Sequence, residues 1–138
     1  MNFDKLLPQI LDLAAVEKSA LDGTALATAK LSFYDWLVVS CAGSTEPLAH
    51  IMRDFIASEG GAAVATVTGA AKKYPPRAAA LANGAISHAL DYDDTHFAYV
   101  GHPSVAIFPA ALAAAEEVGA SAGDLCEAFL LGAEASCR

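Results

Sequence analysis

The chain has 138 residues, of which 55% are hydrophobic and 17% charged, a balance that fits one folded domain with its own core and excludes a disordered segment. With 8 basic residues against 16 acidic ones the formal net charge is −8, and the lysines and arginines form no stripe. Nucleic-acid binding is excluded for want of an electrostatic footprint. The start lacks the basic and apolar regions of a secretory signal, and the most apolar early run, residues 36–43, is far short of the roughly 20 residues that cross a bilayer. Cys41, Cys126 and Cys137 form no C-x-x-C pair, so reduced thiols in a cytoplasmic protein with no membrane span are expected.

Alanine supplies 32 residues and loses almost no side-chain entropy in a helix, so the expected fold is mainly α, a helical bundle with at most one short β segment near 63–68. The spacing predicts a first helix over 4–15, with Leu6, Ile10, Leu11 and Leu13 as its apolar stripe and Pro8 in its early turns. A second helix is expected from Asp22 or Thr24 to Ser40 or Cys41, marked by Leu26, Leu31, Tyr34, Leu37 and Val38 at helical spacing, with Gly43 as its stop. A third opens at Pro47, carries Leu48, Ile51, Met52, Phe55 and Ile56, and is expected to end at Gly60-Gly61.

Residues 63–68 alternate small and β-branched side chains, which reads as a short strand or extended segment. Residues 72–76 read as a linker, after which helix resumes over 77–90, interrupted at Asn83-Gly84. Glycine there costs about 1 kcal/mol relative to alanine, so it marks a closely packed backbone or another use. Periodicity vanishes over 91–103, a loop. Helix returns from Ser104 to Val118 and stops at Gly119; a last helix over 123–136 follows Ser121, whose spacing to Asp124 is that of a capping box. Leu125, Phe129, Leu130 and Ala133 form its apolar side, which runs towards Arg138 without a glycine or polar tail and reads as cut from something longer.

Three of the four histidines and three of the nine aspartates lie between His88 and His102. His88 and Asp91, three apart, share a face if helix continues that far. His102 precedes Pro103 and a helix start, where free N–H groups and the positive dipole end favour an anion, with Lys72, Lys73 and Arg77 as the local basic help. Imidazole, carboxylate and hydroxyl together suggest an acid/base site for a carboxylate substrate. The plainer reading makes Asp91, Asp93 and Asp94 a solvated, helix-capping loop, His88 a hydrogen-bonded core histidine and His96 a surface residue, with Tyr92, Phe97 and Tyr99 packing the loop down. No metal is expected, because the spacing matches neither H-E-x-x-H nor an EF-hand and contains no adjacent His-Asp pair. Asp-x-Asp-Asp could hold Mg²⁺ with a phosphate, but basic partners are scarce.

The pieces D-W-L-V-V-S-C-A-G at 35–43, A-A-L-A-N-G at 79–84, H-A-L-D-Y-D-D-T at 88–95, H-P-S at 102–104 and G-A-E at 132–134 occur in that order. The series resembles the MmgE/PrpD family, which includes 2-methylcitrate dehydratases, cis-aconitate decarboxylases and iminodisuccinate epimerases, and the resemblance spans most of the chain. It implies that residues 1–138 are one helical domain, the N-terminal portion of a longer two-domain homodimeric enzyme acting on small di- or tricarboxylates with no metal or organic cofactor. Asp91, Thr95 and His102 match family active-site positions. On that resemblance His102 is the acid/base or carboxylate-binding group, and Asp91 and Thr95 orient it or the substrate. Asn83, His88 and Ser104 are expected to bind the substrate beside them. An imidazole with an ordinary pKa near 6.5 can take or give a proton at neutral pH. Family enzymes carry a further lysine and histidine beyond the point matching Arg138, so the chain by itself is expected to hold half a site and to be inactive alone. The alternative is a non-catalytic helical oligomerisation module whose apolar faces a partner copy completes.

Overall fold

The computed structural model describes residues 3–138; Met1 and Asn2, part of the start read above for a signal, lie outside the described residues. Six α-helices run among the described residues: α1 (Phe3–Ala14), α2 (Gly23–Gly43), α3 (Pro47–Ile56), α4 (Pro76–Ser87), α5 (Pro103–Val118) and α6 (Ala122–Cys137), with a 3₁₀ turn at Lys18–Ala20. The mainly helical expectation holds. Local chemistry sets the ends: Asp22 accepts from the Ala25 N–H at 2.9 Å to start α2, Ser121 and Asp124 form the reciprocal capping box of α6, and Gly119 ends α5 in the left-handed conformation at φ 70°. Among the described residues, no helix is long and apolar enough to cross a membrane.

Several boundaries differ from the sequence reading. Gly43 is the last residue of α2 and is followed by Ser44 in right-handed helical geometry, so it is no left-handed stop. Its role is contact: a Cβ at Gly43 would lie 2.0 Å from the Ile86 carbonyl oxygen. Helix α3 ends at Ile56, before the paired glycines. Helix α4 passes through Asn83-Gly84 without interruption and stops at Ser87. The close-backbone reading of Gly84 is the right one, since a Cβ there would lie 3.1 Å from the Val105 carbonyl oxygen of α5.

Residues 63–68 form no strand. They make one isolated antiparallel bridge, Ala65 to Tyr74, in which the Ala65 N–H donates to the Tyr74 carbonyl at 2.9 Å and the Tyr74 N–H returns to Ala65 at 2.8 Å. The supposed linker is thus the return limb of a folded loop, with Tyr74 buried. Asn83 anchors that loop from α4, donating to the Thr66 carbonyl at 2.8 Å and accepting from the Thr68 N–H at 2.9 Å.

The core has two parts. One gathers Ala49, Ile56, Ala65, Val67, Ala82 and Ile86 where α3, α4 and the loop meet. The other is aromatic: Phe108 of α5 stacks on Phe129 of α6, ring centres 3.8 Å apart, with Trp36 of α2 at 5.7 Å. Each such ring, fully buried, stabilises by about 1.5–3 kcal/mol. The face that α2 buries is Ala29, Trp36, Val39, Ser40 and Gly43. Leu31, Tyr34 and Val38, prominent in the sequence pattern, are about two-thirds exposed instead.

Candidate functional site

The end of α4 builds the site. His88 is its cap residue, and its N–H donates to the Gly84 carbonyl. Three residues on, Asp91 takes φ 54°, in the left-handed region that aspartate tolerates better than most residues. Helix therefore does not extend to Asp91. His88 and Asp91 come together through this turn and not along a helical face.

Asp93, which the sequence reading left among solvated carboxylates, has a side chain with no exposed surface. Its two oxygens lie 2.9 and 3.1 Å from His88 Nδ1, and Oδ2 also lies 3.2 Å from His102 Nδ1. The second face of His102 points the other way, with Nε2 3.6 Å from Asp91 Oδ1. The two imidazole rings sit 5.1 Å apart. Partial desolvation pulls the His102 pKa down, but the hydrogen bond to the Asp93 carbonyl and the Asp93 and Asp91 carboxylates outweigh it, so the net shift is upward from 6.5. His88, Asp91, Asp93 and His102 each offer a donor atom within 4.8 Å of the others. In the arrangement present those atoms are engaged with one another.

Asp94 does the capping that the plainer reading gave to this loop. It accepts from the Ser104 N–H at 3.1 Å and from the Ser104 hydroxyl at 2.6 Å. This corrects the expectation of an anion-ready helix start, because a carboxylate of the chain already occupies the first turn of α5. Two of the three basic residues are also committed elsewhere, Lys73 to Glu116 at 3.1 Å and Arg77 to Glu59 at 3.3 Å, and Lys72 lies over the Tyr74 ring at 5.1 Å.

Of the residues singled out from sequence, the structure gathers His88, Asp91 and His102 around Asp93. Thr95 is exposed and joins none of the side-chain hydrogen bonds among these groups. Asn83 and Ser104 are buried and engaged as described, Asn83 with the 66–68 backbone and Ser104 with Asp94. His96 is a surface residue, as read, its backbone bridged to Gly101. Two of the loop aromatics correct the packing expectation, Phe97 at 96% and Tyr92 at 71% exposed, whereas Tyr99 is half-buried. A separate apolar cavity of about 260 Å³ lies between α2, α6 and the far side of the loop, walled in part by Ala29, Asp94, His96 and Phe129. The four clustered residues do not line it.

The paired-imidazole, paired-carboxylate cluster at the end of α4 has the equipment of a proton-transfer site. The model of the MmgE/PrpD N-terminal domain matches residues 13–138, and the chain belongs to that family. Neither the curated proteins nor the solved structures yield a match.

Proposed function

We propose that the chain is the helical domain of a cofactor-independent lyase or isomerase that dehydrates, decarboxylates or epimerises a small di- or tricarboxylate. His102 carries the proton, and Asp91 and Thr95 orient it or the substrate. His88 binds the substrate beside that group, while Asn83 and Ser104 act from within the fold, Asn83 through the 66–68 backbone and Ser104 through the Asp94 carboxylate. The observation that carries the reading is the meeting of His102 with Asp91 and Asp93 at one end of α4. All three reactions need a proton carrier placed next to a substrate carboxylate. The upward shift of the His102 pKa also favours a cationic ring, which suits an anionic substrate in a domain otherwise rich in carboxylates. The longer enzymes that the sequence resembles supply a lysine and a histidine from beyond this domain, so residues 1–138 alone are expected to be inactive.

The test is a panel of di- and tricarboxylates incubated with the natural protein read to its stop codon, followed by proton NMR. Loss of water, loss of carbon dioxide or inversion of a centre beside a carboxylate is the expected result. No change in any member contradicts the reading.

A second reading has its own observation. Leu31, Tyr34 and Val38 on α2 and Ile51 and Phe55 on α3 are all more than half exposed, an apolar surface that a second copy would cover. A homodimer fits either reading. Sedimentation at several concentrations is expected to show a dimer, and a monomer throughout contradicts the oligomerisation module. Three unpaired cysteines suit the reducing cytoplasm.

A further inference from the structure

We propose that Asp93 is the positioning residue of this site: its buried carboxylate holds the rings of His88 and His102 with the proton on Nδ1, leaving Nε2 of His102, the nitrogen beside Asp91, to exchange protons. The inference rests on the proton-carrier role given to His102 above, and adds which nitrogen acts and what selects it.

Every atom that faces Nδ1 of His102 is an acceptor. Oδ2 of Asp93 lies at 3.2 Å and the Asp93 backbone carbonyl oxygen at 3.3 Å, and the Asp94 backbone carbonyl also accepts from the ring. A carbonyl has no proton to give and neither does an ionised carboxylate, and both lie nearer than the acceptor beside Nε2, Asp91 Oδ1 at 3.6 Å, so Nδ1 donates. The same holds for His88, whose Nδ1 meets the two Asp93 oxygens at 2.9 and 3.1 Å. A neutral imidazole protonated on Nδ1 carries its lone pair on Nε2. Free histidine favours the opposite tautomer, so the protein must impose this one. Asp93 can do so because its side chain is closed to solvent and water does not compete for its oxygens.

The remaining histidines give the contrast. Nδ1 of His50 lies 3.4 Å from the Arg53 guanidinium, a group with donors and no acceptor, and Nδ1 of His96 accepts from the Tyr99 N–H at 3.3 Å. Both must therefore present a lone pair at Nδ1 and carry the proton on Nε2. Two rings of each tautomer are expected in one chain.

The experiment is long-range nitrogen–proton NMR on histidine-labelled protein above the imidazole pKa, with signals assigned by single His→Gln variants. The wild type is expected to show His88 and His102 protonated on Nδ1 and His50 and His96 on Nε2. In Asp93→Asn the carboxamide offers one oxygen and one NH₂, so at least one of His88 and His102 is expected to move its proton to Nε2 while His50 stays unchanged. A wild-type His102 protonated on Nε2 overturns the proposal, and so does Asp93→Asn with both rings unmoved. Should that variant fail to fold, the wild-type tautomers decide alone. No turnover is read, so an inactive protein with the expected tautomers counts against the proposed function and leaves the role of Asp93 standing.

Discussion

Asp94 and Ser104 are joined twice, through the Ser104 N–H and through its hydroxyl, so one carboxylate from the acidic loop caps α5 and fixes the loop against the helix that follows His102. Asp94→Ala removes both bonds. A lost helix cap costs about 1–2 kcal/mol, and urea unfolding is expected to show a loss of that size. An unchanged midpoint would mean that the loop is held from elsewhere.

Gly43 is expected to be intolerant of a single methyl group. Gly43→Ala would drive a Cβ against the Ile86 carbonyl oxygen of α4, forcing α2 and α4 apart at a cost of about 2–3 kcal/mol or more. Gly23→Ala is the control, because its Cβ would meet nothing within 4 Å; there the change is expected to be neutral or to stabilise by up to about 1 kcal/mol. Equal unfolding midpoints for the two variants would contradict the close approach.

These two glycines also mark what the sequence could and could not say. Helix existence was legible because the alanine content, Pro47, Asp22 and the Ser121-Asp124 spacing all act locally. The reason for Gly43 was not, since the pressure on it comes from Ile86, far along the chain. The buried face of α2 was hidden for the same reason: Leu31, Tyr34 and Val38 are larger than Ala29, Ser40 and Gly43, yet small residues beside Trp36 and Val39 are what a close helix crossing needs. In the site, the clustering of His88 to His102 pointed to the right segment. Nothing in D-Y-D-D distinguishes the three carboxylates; in the fold, Asp91 takes a left-handed turn, Asp93 goes inside and Asp94 reaches the next helix.

Acid is expected to loosen the loop that Glu116 fastens. Desolvation pushes the Glu116 pKa up, but hydrogen bonds from the Thr66 hydroxyl and N–H and from Lys73 outweigh it, leaving it below 4.5. A carboxyl whose pKa is lowered by folding contributes stability that is present above its unfolded value and lost as pH falls through the folded one. Stability is therefore expected to drop as pH goes below about 4.5, and Glu116→Gln should flatten that part of the profile. A wild-type curve and a variant curve of the same shape would contradict the assignment.

Metal removal is expected to leave catalysis intact. If proton transfer belongs to His102 and the nearby donors are engaged with one another, prolonged dialysis against EDTA should not alter turnover by the natural protein. Activity lost on dialysis and restored by added zinc or manganese would assign His88, Asp91, Asp93 and His102 to a metal centre instead.

The most direct measurement follows the proton itself. Natural protein read to its stop codon is incubated in D₂O with a turned-over di- or tricarboxylate, and deuterium is followed on the carbon beside a carboxylate for wild type and His102→Gln. Labelling by the wild type is expected, with the variant slower by about 10²–10⁴-fold and its helical circular dichroism unchanged. Labelling at equal rates by both proteins would contradict the proton-carrier role of His102.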